Sequence, residues 1–318
     1  MTTPRKNLIS VDATPYYHCV SRCVRRSYLC GIDELTNKSY EHRRAWIEAK
    51  ILSLTRTYCI DVCAYAVMSN HFHVVLHINR DKACALTLSE VVERWGLLHK
   101  LPALIKRWQK KQLSCEAEEL KCWEIIESWR ERLWSLSWFM KELNYDIACR
   151  ANQEDNYTGH FWESRFKSQA LLDEKALAAA MAYVDLNPVR AGVAKTPESS
   201  DFTSISARIQ ALQQNLETAP CLHPFVGSAN TSLDGLPFRL IDYLELVDWS
   251  AKQLRAGKCS MHSSIPPILV RLNINQERWL GACTLLEKRH ATAIGGISLI
   301  EHAKSALNKS KIHFYSLE

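Results

Sequence analysis

The chain has 318 residues, 47% of them hydrophobic, enough to bury one large core or two smaller ones. A net charge of +6 leans only weakly toward a polyanionic partner. There is no apolar run long enough to span a membrane, and the opening MTTPRKNLISVDATPYY has no apolar h-region, so neither a membrane helix nor a secretory signal is expected. Twelve cysteines occur without a CxxC pair, as expected for thiols in a reducing cytoplasm. Cys19-x3-Cys23 and Cys59-x3-Cys63 are spaced too loosely for a zinc motif and read as small core residues.

In chain order, YYHCVSRCV at 16–24 alternates as a strand and leads into a basic run, Arg22, Arg25 and Arg26. Trp46, Ile47, Ile51 and Leu54 fall at helical spacing, which predicts a helix over 39–58 with Ser39 as its N-cap. IDVCAYAVM and HFHVVLHI are β-rich and are separated by Ser69-Asn70, the pattern of a β-hairpin. Residues 84–153 are helical in character and rich in tryptophan, with an α-helical insertion expected at about 85–135. A strand centred on 165–171 follows. The alanine-rich stretch 173–187 predicts a helix capped by Asp173 and closed by Pro188. This succession is the βαββαβ plan of a ferredoxin-like antiparallel sheet, an α+β fold in residues 1–200. Residues 201–318 predict a mainly helical domain or extension, with helices at 201–216, 238–256 and 276–290.

Residues two apart on a strand share a face, so His71 and His73 point the same way and Phe72 points the other. His77 lies on that face too, further along. Two imidazoles so placed either hold one metal ion or are ordinary polar residues on a half-exposed strand. Tyr183 and Asn187, four apart, share a helix face. They are a phenol nucleophile and an amide ligand, or a half-buried aromatic and a helix cap.

The motifs HFH, GHFWESRFKSQALL and AYVDLNPVRAG, in that order, resemble the REP-associated tyrosine transposases, a branch of the single-tyrosine HUH transposases. The resemblance covers roughly residues 12–196, with the helical insertion and the long C-terminal part as departures. It implies a ferredoxin-like HUH fold and a metal-dependent single-stranded DNA endonuclease and strand transferase in the bacterial cytoplasm. Tyr183 matches the nucleophile that forms a 5′-phosphotyrosine. His71, His73 and Asn187 match the residues that hold a divalent metal, Mg²⁺ or Mn²⁺. Of these, Mn²⁺ accepts nitrogen ligands more readily. The implied partner is single-stranded, hairpin-containing DNA, and both a monomer and a homodimer stay open.

DNA contacts are expected from Arg22, Arg25, Arg26, Arg165, Lys167 and Arg190, each able to neutralise a phosphate or to form part of a solvated basic face. Phe161 and Trp162 either stack on bases or pack under their loop. Two rivals remain: a hairpin-binding module that does not cut, and a metalloprotein of another class, which lacks a HExxH helix.

Overall fold

The alternation in YYHCVSR and HFHVVLHI sends two sets of side chains to opposite faces of a sheet, and both faces are covered. The computed structural model describes residues 7–24, 29–33, 36–227, 234–256, 265–287 and 291–318. Its strands are β1 (Tyr16–Arg22), β2 (Ile60–Val67), β3 (His71–Ile78), β4 (Lys167–Leu171), β5 (Ala293–Gly295) and β6 (Phe314–Ser316), in spatial order β2-β3-β1-β4-β5-β6. The first four pair antiparallel; β5 joins β4, and β6 joins β5, in parallel.

The β2–β3 hairpin turns at Ser69-Asn70, with Met68 N–H donating to the His71 carbonyl at 2.9 Å. Its register sets Val67 opposite Phe72 and Ala66 opposite His73. The helices are α1 (His42–Thr57), α2 (Arg80–Ala85), α3 (Leu88–Gly96), α4 (Ala103–Gln109), α5 (Glu116–Leu133), α6 (Leu136–Glu154), α7 (Glu174–Asp185), α8 (Asn187–Arg190), α9 (Ser204–Gln213), α10 (Leu240–Ala256), α11 (Pro267–Arg271), α12 (Gln276–Leu285) and α13 (Ile300–Ala306). No helix among the described residues is long and apolar enough to cross a membrane.

On one face, Tyr17, Cys19, Phe72 and Val74 pack with Ile47 and Ile51 of α1 and Phe139 and Leu143 of α6. On the other, Ala64, Ala66, Val75 and Leu171 pack with α7, and the same cluster contains Tyr243 and Leu246 of α10 and Trp279 of α12. Residues on both sides of position 200 therefore contribute to one core. Helices α3 and α5 make a smaller core of their own around Val92, Ile126 and the stacked rings of Trp95 and Trp129, 5.5 Å apart. Cys19, Cys23, Cys59 and Cys63 are buried.

Three expectations need correction. The sheet has six strands where the element order predicted four, because the C-terminal part adds two strands of three residues each. Strands that short carry too little alternation to be seen in sequence. Ser39 does not cap α1; the N-cap position is Glu41, without a side-chain cap hydrogen bond. The helix predicted to run to 187 stops at Asp185, and Pro188 lies inside the separate turn α8, since proline has no N–H to donate to the carbonyl four residues back.

The end of α7 is anchored by Asp185, which is fully buried. Its carboxylate accepts from the Tyr243 hydroxyl at 2.6 Å, the Ile205 N–H at 3.0 Å and the Ser204 hydroxyl. Helices α9 and α10 are thus tied to the turn that follows Tyr183.

Candidate active site

The β1–β3 register sets Val20 opposite His73 and Arg22 opposite His71. With His18 two residues before Val20, one sheet face collects His18, Arg22, His71 and His73. Helix α7 brings Tyr183 onto this face, and the chain after α12 brings Glu287.

The hydrogen bonds fix which nitrogens are bare. Gln169 Nε2 donates to the carbonyls of Ala291 (3.1 Å) and Leu286 (3.4 Å), so its Oε1 accepts. His18 Nδ1–H therefore donates to Oε1 across 2.7 Å, which leaves His18 Nε2 as a lone pair. That lone pair lies 3.0 Å from His73 Nδ1, so His73 carries its proton on Nδ1 and presents Nε2 bare. His73 is fully buried, and its Nε2 has no hydrogen-bond partner. His71 is bonded through Nδ1 to Asn70 Oδ1, which leaves its Nε2 bare as well.

The two imidazoles stand nearly perpendicular with centroids 4.7 Å apart, and one ligand atom each from His71, His73 and Glu287 falls within 4.8 Å of the others. Burial lowers the pKa of all three histidines from 6.5, that of His71 to about 4, which keeps them neutral as ligands must be. Burial pushes the Glu287 carboxyl up, but its surroundings, with the charge and hydrogen bond of the Arg22 guanidinium at 3.1 Å among them, hold the group below its ordinary value. Two imidazole nitrogens and a carboxylate oxygen form a donor set for a divalent cation, and the unpartnered buried Nε2 of His73 is the strongest sign that the set fits one.

Tyr183 is 2% exposed, and its ring meets His18 and His73 edge-on at 5.9 and 5.6 Å. The Arg190 guanidinium covers the ring face at 4.1 Å from the centroid. Burial raises the phenol pKa above its ordinary value, while the charge and hydrogen bond of Arg190 pull it back. Asn187 is buried, and its Oδ1 accepts from Arg190 at 3.0 Å, so in this state it is engaged with the arginine. Arg190 also donates to the Thr284 carbonyl at 2.8 Å.

Of the basic residues expected on DNA, Arg22 is paired with Glu287 and Arg190 is turned into the site. Arg165, two residues before β4, and Lys167, its first residue, are exposed, and Arg25 and Arg26 lie outside the described residues. Phe161 is buried. Trp162 is half-buried, donates its indole N–H to the Asn144 carbonyl at 2.7 Å and packs on Phe72. Next to Trp162 runs an open groove of about 850 Å³, lined among others by Lys141, Tyr145 and Arg165.

Sequence reasoning missed His18, Gln169 and Glu287. The β1 alternation that sets His18 beside Val20 was a usable signal for the first. For Glu287 there was none, since only the tertiary fold brings it to the histidines.

No protein-family model matches the chain, and no curated protein does. Among solved structures the chain is similar to a REP-associated tyrosine transposase bound to a REP hairpin. That likeness is distant: 14% identity and a TM-score of 0.39, over 74% of this chain and 97% of that one.

Proposed function

We propose that the protein is a metal-dependent single-stranded DNA strand transferase in which Tyr183 is the nucleophile and His71, His73 and Glu287 hold a divalent cation, Mn²⁺ or Mg²⁺. The observation that carries this reading is the bare, buried Nε2 of His73, 3.9 Å from Glu287 Oε2, on an imidazole that the Tyr183 ring meets edge-on at 5.6 Å. The motif resemblance supports it, and the antiparallel order β2-β3-β1-β4 is compatible with the ferredoxin-like sheet that the resemblance implies. A divalent ion held there would supply Lewis-acid polarisation of the scissile phosphate.

The chain's own groups account for the rest. The Tyr183 oxygen forms a bond to phosphorus while the bond from phosphorus to the 3′ oxygen breaks. The phenol proton ends, in net terms, on the departing 3′ hydroxyl, and the product is a 5′-phosphotyrosine. Arg190 stabilises phenolate character over the ring face, and His18 and Gln169 hold His73 in the tautomer that leaves Nε2 bare. Asn187 positions Arg190. Because the covalent link conserves the phosphodiester, the same groups run the reaction in reverse and rejoin strands without ATP. Arg165 and Lys167 grip the backbone, and Trp162 and Tyr145 offer faces for unpaired bases beside a hairpin.

One observation favours the rival reading of a hairpin-binding module that does not cut: Tyr183 is almost fully buried and covered by Arg190. Incubation with labelled hairpin-bearing single-stranded DNA and Mn²⁺, followed by a denaturing gel, separates the two. Strand transfer requires a covalent protein–DNA band that disappears in Tyr183→Phe while binding is retained. Binding with no band in the parent protein establishes the rival, and a band that persists in Tyr183→Phe moves the nucleophile elsewhere.

A further inference from the structure

A second cluster of metal-ligating side chains lies at the far end of β3. His77 is four residues from His73, about 13 Å along the strand at ~3.3 Å per residue. Directly opposite on β2 is Asp61, whose Oδ2 is 3.0 Å from His77 Nδ1. The segment after α9 crosses this edge of the sheet. Leu222 bridges to Val62 in parallel, and the His223 N–H donates to the Val62 carbonyl at 2.8 Å. That pairing lays the His223 ring against His77 with centroids 4.8 Å apart. Its Nδ1 is 3.9 Å from Asp61 Oδ2, and its Nε2 is 3.8 Å from Asp234 Oδ1. His223 is 4% exposed, yet its Nε2 is buried with no hydrogen-bond partner. A bare imidazole nitrogen held out of water costs free energy unless something completes it.

We propose that Asp61, His77, His223 and Asp234 form a structural zinc site that pins residues 221–227 and 234–237 to the β2–β3 edge of the sheet. One ligand atom from each of the four lies within 4.8 Å of all the others. At metal–ligand bonds of about 2.0–2.1 Å, tetrahedral geometry separates neighbouring ligands by about 3.3–3.4 Å. With the bare Nε2 as the His223 ligand atom, the Asp61–His77 separation of 3.0 Å and the His223–Asp234 separation of 3.8 Å bracket that value, and the other pairs lie within 4.8 Å, so closing the shell takes shifts of no more than about 1.5 Å.

Two imidazoles with two carboxylates neutralise a dication and favour zinc over Mg²⁺ or Ca²⁺, which prefer oxygen throughout. Four protein ligands leave no open position, as expected of a structural ion. Asn79 orients the carboxylates from outside, donating to Asp234 Oδ2 at 2.6 Å and to Asp61 Oδ2 at 3.4 Å. The site does not depend on the strand-transfer reading, because its ligands are separate from the tyrosine site.

The test uses the full chain carrying His71→Ala and His73→Ala, which removes the other imidazole pair. Purified without chelator, that protein is expected to retain one equivalent of zinc by elemental analysis. Its cobalt derivative should show tetrahedral d–d bands without thiolate charge transfer, which excludes the cysteines as ligands. Adding His223→Ala should abolish the zinc. Asp234→Ala, at a half-exposed side chain that poses little risk to folding, should weaken zinc affinity at least about tenfold. Absence of zinc in the starting protein, thiolate bands, or an affinity unchanged by Asp234→Ala would each overturn the assignment.

Discussion

The free nitrogen of His73 is set by a side chain that touches no candidate ligand site directly. Gln169 fixes the His18 tautomer, and His18 fixes that of His73. Replacing Gln169 with leucine is expected to keep the fold and lower Mn²⁺ affinity by about tenfold, the range seen when partners behind a ligand are lost. Titration of the purified variant checks this; an unchanged affinity would show that the relay has no bearing on the site. The same imidazoles set a pH dependence. His18, His71 and His73 titrate below 6.5 in the folded protein, His71 at about 4, and at their ordinary value when unfolded. Between those limits the unfolded chain binds more protons, so stability rises with pH and is complete above about 6.5. In chelator, the urea midpoint should therefore be flat above neutrality and drop progressively from pH 6.5 toward 4. In the sequence, strand and helix periodicities put His71 with His73, and Tyr183 with Asn187, on shared faces, and the motif resemblance alone gave them roles. It assigned Asn187 as a ligand, whereas the structure has its amide oxygen accepting from Arg190, an engagement that depends on packing which periodicity does not encode.

Among the elements, α7 matters most, since it carries Tyr183. Its N-terminus is held twice by Asp173: Oδ1 accepts from the Ala176 N–H at 2.8 Å, and Oδ2 from the Gly296 N–H at 2.7 Å, just beyond β5. One carboxylate thus caps the helix and fastens a strand. Asp173→Ala should cost about 1–2 kcal/mol, the loss of a cap and a further charged hydrogen bond. Chemical denaturation reads this as a lower midpoint at unchanged slope. The cap was visible in sequence, as were the hairpin at Ser69-Asn70 and most helices. The early stop of α7 was not, although Pro188 marked the region. The edge strands β5 and β6 escaped notice because three residues apiece show no pattern, and their pairing depends on β4 being already in place.

At the level of the whole molecule, residues after 200 cover the alanine-rich face of α7 through Tyr243, Leu246 and Trp279, and they supply Glu287. A chain cut to residues 1–200 should therefore expose that face. Size-exclusion chromatography is expected to show aggregation, and the soluble fraction should bind Mn²⁺ more weakly than the full chain. A monodisperse fragment of full affinity would instead establish residues 1–200 as an independent domain. The mixed α+β character and the strands β1 to β4 were legible because these elements are long and strongly patterned, whereas the shared core was not, because it depends on contacts between distant parts of the chain. The parallel pairing of β4 with β5 joins residues 170–171 to 293–294. Pairs so remote in sequence close late in folding. On the ribosome, β1 to β4 emerge well before their last neighbours. The histidines thus wait for their carboxylate until synthesis has passed Glu287, so in a nascent polypeptide the three-ligand donor set stays incomplete until then.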